Sequence, residues 1–265
     1  MKDVIKYIKE IFASKELLLN LTSKELKLKY RNSVLGFLWS FLNPILQLIV
    51  YTLVFRYFMK NTIHNFTVYL LCGLLPWQFF QISVQGSTGS IISNANLIKK
   101  VYFPREILPL SLVLSNFVNF IITLVILFFA VILTHTPIGL PLIELPLVLL
   151  LLLLLTIGLS LILSCLNVLY RDIQHFVEVL FMLWFYLTPI VYNLDTYKTG
   201  KVAKYKFLLN LNPMKLVTDC VKNNLYSNSF ADPKMLLSLL ILDLILIIGG
   251  LHLFRKIEVV FAEEI

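Results

Sequence analysis

The chain has 265 residues, 58% of them hydrophobic and only 14% charged, with a net charge of +8. Ordinary soluble domains carry about 25% charged residues, so this balance excludes a soluble globular domain, a disordered chain and a small disulfide scaffold. Asp, Glu, Lys and Arg are missing from 32–55, 61–98, 107–143 and 145–170, runs of 24, 38, 37 and 26 residues. A bilayer-spanning helix needs about 20 apolar residues. The expected fold is therefore an all-α polytopic membrane protein, and the positive charge reads as topology and contact with anionic lipid rather than as a nucleic-acid signal.

Residues 1–30 are amphipathic. Val4, Ile5, Ile8, Ile11 and Phe12 recur at helical spacing, with Lys2, Lys6 and Lys9 between them, the pattern of a helix lying in the interface plane. The same lysines, with Asp3 and Glu10, interrupt any signal-peptide core. Thr22-Ser23-Lys24-Glu25 has the form of a capping box and predicts a second short helix running into Tyr30-Arg31. Six spans are expected near 35–58, 66–90, 107–133, 146–169, 173–194 and 235–254, between an interfacial segment 1–34 and a tail 255–265, all in one domain. An even number of crossings puts both termini on one side. If that side is cytoplasmic, 14 of the 23 basic residues lie inside, eight of them before residue 35, in keeping with the positive-inside rule. Seven of the other nine fall in the long 195–234 loop. Asn212-Pro213 and Asp232-Pro233 punctuate that loop, and 214–226 reads as a short helix.

The first span carries a polar and aromatic stripe. At 100° per residue Gly36, Ser40, Asn43, Gln47, Tyr51 and Phe58 fall within an arc of about 80°, and Pro44 interrupts the helix. Asn and Gln in hydrocarbon need partners, so this face meets protein or water. It can serve helix packing, a channel lining, or both. The fifth span has a similar face built from Arg171, His175, Glu178, Met182, Tyr186 and Pro189, with Phe181, Trp184, Phe185 and Tyr192 nearby. Aromatic faces bind sugar rings through apolar contact. Tyr192 fits an interfacial belt, whereas Phe185 and Tyr186 lie nearer mid-span. The channel-lining candidates are Asn43, Gln47, Tyr51, Phe58, Glu178, Met182, Phe185 and Tyr186. Ser115, Asn116, Asn119 and Thr123 in the third span, and Thr156, Ser160, Ser164 and Asn167 in the fourth, read as close-packing positions. Asp243, in the last span near Gly249-Gly250, has no matching cation in a neighbouring span. It is either a proton relay or a structural partner.

The segment 94–109, Asn-Ala-Asn-Leu-Ile-Lys-Lys-Val-Tyr-Phe-Pro-Arg-Glu-Ile-Leu-Pro, joins two spans. Asn94 can cap a short helix that Pro104 ends. Asn96, Lys99, Lys100, Tyr102, Phe103 and Arg105 are placed to dock a cytoplasmic subunit, since aromatic and Arg anchors dominate such contacts. The alternative is a loop on lipid heads. Cys72, Cys165 and Cys220 show neither a disulfide framework nor metal spacing. The four histidines, His64, His135, His175 and His252, form no motif.

These motifs together resemble the ABC-2 polysaccharide exporter permeases. The resemblance rests on Lys27-Leu-Lys-Tyr-Arg31, Ser33-Val-Leu-Gly-Phe-Leu-Trp39 with Asn43-Pro44, Gly73-Leu-Leu-Pro-Trp77-Gln-Phe-Phe80, the 96–109 segment, Asn167-Val-Leu-Tyr-Arg-Asp172, Thr188-Pro-Ile-Val-Tyr192 and Asn212-Pro213. It spans essentially the whole chain. It implies export of an undecaprenyl-linked O-antigen, capsule or teichoic-acid chain across the cytoplasmic (inner) membrane. It further implies six spans per subunit, a homodimer working with two cytoplasmic ATPase subunits, and an N-terminal helix on the cytoplasmic face. Spans one and five are implied to line the channel, with re-entrant gate helices between spans five and six.

No ATP or Mg site is expected in this chain. Its only Gly-Lys pair, Gly200-Lys201, follows Asp195-Thr-Tyr-Lys-Thr, which lacks the first Gly and the Ser/Thr of a phosphate-binding loop. Nucleotide would belong to the partner subunit, so the chain is expected to be a permease and not an enzyme. A proton-coupled secondary transporter using Glu178 and Asp243 is the alternative of another class, but its usual internal repeat is not found. A membrane-embedded glycosyl transferase would need a cluster of acids or a His/Asp site at the membrane face. Membrane lipids and a lipid-linked polymer are the expected contacts, and no nucleic acid.

Overall fold

The computed structural model describes residues 13–31, 33–58 (side chains to 55), 63–192, 209–258 and 261. The hydrophobic positions expected over 4–12 lie outside these, as do Lys198, Lys201, Lys204 and Lys206. The described residues are helical with no strand: α1 (Lys15–Tyr30), α2 (Trp39–Tyr51), α3 (Phe66–Thr88), the short α4 (Ser90–Ser93) and α5 (Ala95–Ile98), α6 (Ile107–Leu133), α7 (Leu145–Leu169), α8 (Ile173–Leu187), α9 (Pro213–Leu225) and α10 (Pro233–Ile257). A 3-10 turn over Gly36–Leu38 leads into α2, and π turns over Thr52–Phe58 extend it.

Among the described residues, five helical stretches are long and apolar enough to cross a bilayer: Gly36–Phe55, Phe66–Thr88, Ile107–Leu133, Leu140–Leu169 and Pro233–Ile257. The fifth expected span differs. Helix α8 has 15 residues and reaches about 22 Å, short of the roughly 30 Å hydrocarbon thickness. It stops because Thr188-Pro189 forces extended backbone at Thr188.

Helix α3 is the hub. It packs on α6, α7 and α9, and 78% of its apolar stretch is buried, against 11% for the stretch containing α2. Trp77, Phe80, Phe181 and Trp184 form an aromatic block where α3 meets α8, with ring centroids 5.2–6.4 Å apart. Close approach explains one glycine here: a Cβ on Gly73 would sit 3.2 Å from Ile190 Cγ2 and 3.3 Å from its Cα.

Helices α7 and α10 run parallel in the most extensive helix pairing. A Cβ on Gly158 would lie 2.7 Å from Leu246 Cβ, and one on Gly250 would lie 2.9 Å from Leu161 Cβ. Thr156, Ser160, Ser164 and Asn167 are buried on α7, with Thr156 and Ser164 bonded back to their own helix. This is the geometry of small-residue packing.

Two local expectations are corrected. The 22–25 capping box starts no helix: α1 runs unbroken from Lys15 to Tyr30, and Thr22 donates instead to Leu18 O at 2.7 Å, a bond that suits a helix interior. Asn94 stands at the N-cap of α5 but makes no side-chain cap. Its amide donates backward to Ser90 O. Asn212 and Asp232 do cap, accepting from the backbone N–H groups at the starts of α9 and α10.

Candidate functional site

The stripes of α2 and α8 meet. Tyr51 stacks on Phe185 with ring centroids 6.0 Å apart and 24° between planes, and Phe185 also meets Trp77 and Tyr186. Gln47 accepts a hydrogen bond from Gln78 of α3, so part of the α2 stripe is spent on holding α2 to the hub. Asn43 and Gln47 are exposed all the same. On α8, Met182 is 66% and Tyr186 63% exposed, and the exposed Glu178 carboxylate lies 4.0 Å from His175 Nδ1. The two faces form one exposed surface of aromatic and amide groups along an apolar bundle. Phe58 belongs to the π turns, but its side chain lies outside the described set.

The arrangement can do what weak carbohydrate contacts require. Ring faces offer apolar area, and amides can exchange hydrogen bonds with hydroxyls. No group of three or more His, Cys, Asp or Glu among the described residues could hold a metal ion. The three cysteines are free and buried.

The 94–106 segment divides in two. Asn96, Lys99, Lys100 and Tyr102 are exposed, Tyr102 to 95%. Phe103 is not the exposed aromatic that the sequence implied. It is 7% exposed and packs with Leu21, Ile107 and Leu108, because α1 lies across the start of α6 and gives the ring an apolar seat. Arg105 is half-buried and bound within the chain. Its guanidinium donates to Glu258 O, lies 3.9 Å from the Glu258 carboxylate and sits over the Phe261 ring at 5.5 Å. The C-terminal tail thus holds the connector between α3 and α6. Nothing in the sequence spacing links residues 105 and 258.

Sequence reasoning also missed how α8, α9 and α3 are tied. Asn212 joins the end of α8 to α9, with Trp184 and Thr188 as partners. On α9, Lys222 is buried, donates to Pro189 O and lies 3.7 Å from the Tyr69 ring centroid. Burial draws its pKa down to about 8. Lys215 pairs with Asp219 at 2.7 Å. In the span region Asp243 is fully buried, and neither carboxylate oxygen has a hydrogen-bond partner among the described residues.

Comparison with known proteins agrees with the motifs. The family model described as "ABC-2 type transporter" matches residues 16–226. The "O-antigen export system permease protein RfbA" of Myxococcus xanthus is 35% identical over 263 residues, covering 99% of this chain and 100% of that one. Its namesake from Klebsiella pneumoniae is 36% identical over 249 residues, 94% of each chain. The "Polysialic acid transport protein KpsM" of Escherichia coli is 23% identical over 242 residues, 89% of this chain and 91% of that one. By this match, which takes in most of the chain and all of the helices from α1 to α9, the protein belongs to the ABC-2 type transporter family.

Proposed function

We propose that this chain is the membrane subunit of an ATP-driven exporter that moves an undecaprenyl-linked polysaccharide of the O-antigen type across the cytoplasmic membrane. Two copies form the channel, and two cytoplasmic ATPase subunits supply the energy. The O-antigen reading is favoured over capsule because relatives named for O-antigen export are 35% and 36% identical, against 23% for the polysialic acid transport protein.

The observation that carries the channel reading is the Tyr51–Phe185 stack. It joins the polar stripe of α2 to the aromatic face of α8 while leaving both open to a second copy and to a polymer. Sugar hydroxyls would exchange water for Asn43, Gln47 and Tyr51 as ring faces slide past Phe185 and Tyr186. Repeated weak contacts keep such a chain moving, since tight binding at one point would stall it.

Six crossings are supported by where the ends meet. Helix α1 packs on Phe103 and Ile107, and the tail residue Glu258 holds Arg105. The N-terminal helix and the tail therefore share one end of the bundle, which requires an even number of crossings. Helix α8 with residues 188–192 would supply the crossing that the five long stretches leave open, and α9 is then an outer gate element. The exposed Asn96, Lys99, Lys100 and Tyr102 would meet the ATPase. Nucleotide-driven closure of the ATPase pair would move this segment and, through Arg105 and Phe103, the bundle behind it.

The test uses single cysteines against the low background of three buried native thiols. Met182→Cys labelled with a bulky maleimide should block polymer export, whereas labelled Val125→Cys, on the exposed surface of α6, should not. Equal effects at both positions would remove the channel assignment. Export that persists in cells lacking the partner ATPase would remove the ATP-driven one.

A further inference from the structure

Helix α8 ends at Leu187, and the turn that follows, residues 188–192, is held from the protein side. Two of the groups that hold it also touch one another. The Lys222 ammonium donates to Pro189 O and faces the Tyr69 ring, 3.7 Å from its centroid. The Tyr69 hydroxyl donates to Tyr192 O at 2.7 Å. Tyr192 then reaches back to the helix, where its hydroxyl donates to Tyr186 O at 2.8 Å. The last carbonyls of a helix have no partner within it, so this bond secures the end of α8. One cation–π contact and two hydrogen bonds thus lead from Lys222 to Tyr186. Tyr186 and its neighbour Phe185 carry the outer part of the exposed aromatic face, including the Tyr51 stack.

Stability alone gives no reason for an ammonium here. Among the described residues no carboxylate pairs with Lys222, since Asp219, one turn before it, pairs with Lys215 instead. Burying a charge without a counter-ion costs free energy, and a methionine of similar length would fill the space without that cost. A methionine could neither donate to Pro189 O nor hold the face of the Tyr69 ring as a cation does. Ile190, between the two held carbonyls, is fully buried and lies against Gly73 of α3, which seats the turn on the hub helix.

We infer that Lys222 is a positioning residue for the channel face: with Tyr69 it clamps the 188–192 turn, and through Tyr192 it fixes the last turn of α8, so that Phe185 and Tyr186 keep their places beside Tyr51. Lys222 itself touches no polymer and acts through the turn. Rings that a polymer slides past must hold their orientation as it moves, and fraying of the last turn would let Tyr186 leave the face. The inference rests on the channel reading of that face.

The experiment pairs amide hydrogen exchange of the purified full-length chain in neutral detergent with polymer export in a strain lacking the native gene. In Lys222→Met the amides of residues 185–192 should exchange about tenfold faster, the worth of one charge-assisted hydrogen bond, while those of α6, α7 and α10 keep wild-type rates. Export should fall severalfold. The melting temperature at pH 7 should stay close to wild type, because the lost hydrogen bond and the lost burial cost oppose one another. Lys222→Arg keeps the cation and a donor and should recover most of the export. Tyr69→Phe keeps the ring beside the ammonium but loses the bond to Tyr192 O, so it should loosen the same residues, and it decides the matter should Lys222→Met not fold. Wild-type exchange over 185–192 in both variants would overturn the inference. Faster exchange spread evenly over all helices would overturn it too, since that marks a purely structural lysine. If labelled Met182→Cys fails to block export, the channel reading falls and this inference with it. If that label blocks export while Lys222→Met exports normally, only this inference falls.

Discussion

Trp184 donates its indole N–H to Asn212 Oδ1 at 2.8 Å, and the same oxygen accepts from the backbone N–H groups of Met214 and Lys215. One carbonyl oxygen thus caps α9 and fastens it to α8. The amide's other end donates to Thr188 Oγ1 at 3.0 Å and to Leu187 O at 3.2 Å. Asn212→Ala should therefore cost more than an ordinary cap, which is worth about 1 kcal/mol. Asn212→Asp keeps the acceptor but loses both donations, and should fall between wild type and alanine. Thermal unfolding in detergent ranks the three, and an Asp variant no better than Ala would show that the cap contributes nothing.

Gly249 and Gly250 separate two uses of glycine within one helix. A Cβ on Gly249 meets nothing within 4 Å, while one on Gly250 would strike Leu161 Cβ at 2.9 Å. Gly249→Ala should be neutral or should stabilise α10 by up to about 1 kcal/mol through helix propensity. Gly250→Ala should lower the melting temperature by forcing α10 off α7. Equal melting temperatures for the two variants would refute the close-packed seam.

Tyr102 and Phe103 are neighbours with opposite surroundings. Tyr102→Ala should leave stability unchanged and abolish co-purification with the ATPase. Phe103→Ala removes a buried ring from the seat made by α1 and should cost about 3–5 kcal/mol. If Tyr102→Ala retains the ATPase in pull-down, the docking role moves to the lysines.

Lys222 makes stability depend on pH. Its folded-state pKa is near 8, below the usual 10.5, because burial penalises the ammonium. Below pH 8 both folded and unfolded states are protonated and the folded state bears the full burial cost. Between pH 8 and 10.5 the folded state releases its proton first, so stability rises with pH. Above that window the term is constant. Thermal scans at pH 7 and pH 10 should show this gain in the wild type, and Lys222→Met should remove it.

Asp243→Asn should export polymer normally, measured by surface polymer in a strain lacking the native gene. The carboxylate is fully buried, and no described residue hydrogen-bonds either oxygen. Loss of export in a normally folded variant would revive a proton-coupled mechanism.

Much of the fold follows from the charge-free runs, since length and hydropathy alone dictate where a chain can cross a bilayer. The Asx-Pro starts of α9 and α10 were equally legible, because a cap is a local device. Phe103 and Arg105 were not, since their partners Leu21 and Glu258 lie far away in the chain and no periodicity links them. Spacing alone marks the third-span amides as packing positions. Asn116 and Asn119 do pack, but their hydrogen-bond partners are Lys29, Tyr30 and Ser40, and only the folded arrangement reveals that. The capping box failed because its residues fit a cap and a helix interior alike, and α1 continues through them.

Helix α3 has the lowest mean hydropathy of the five long helices and is the most enclosed by protein. The two facts belong together in biosynthesis. As the chain emerges, α3 enters the membrane before α6, α7 and α9, which later surround it, have been made. Until they arrive Gln78, Gln81, Ser83 and Ser87 meet lipid or whatever holds the nascent helix. The span at the heart of the finished bundle is therefore the one least able to remain in the bilayer alone. Truncated chains ending before α6 should depend most on the cell's insertion machinery and be the quickest to be degraded.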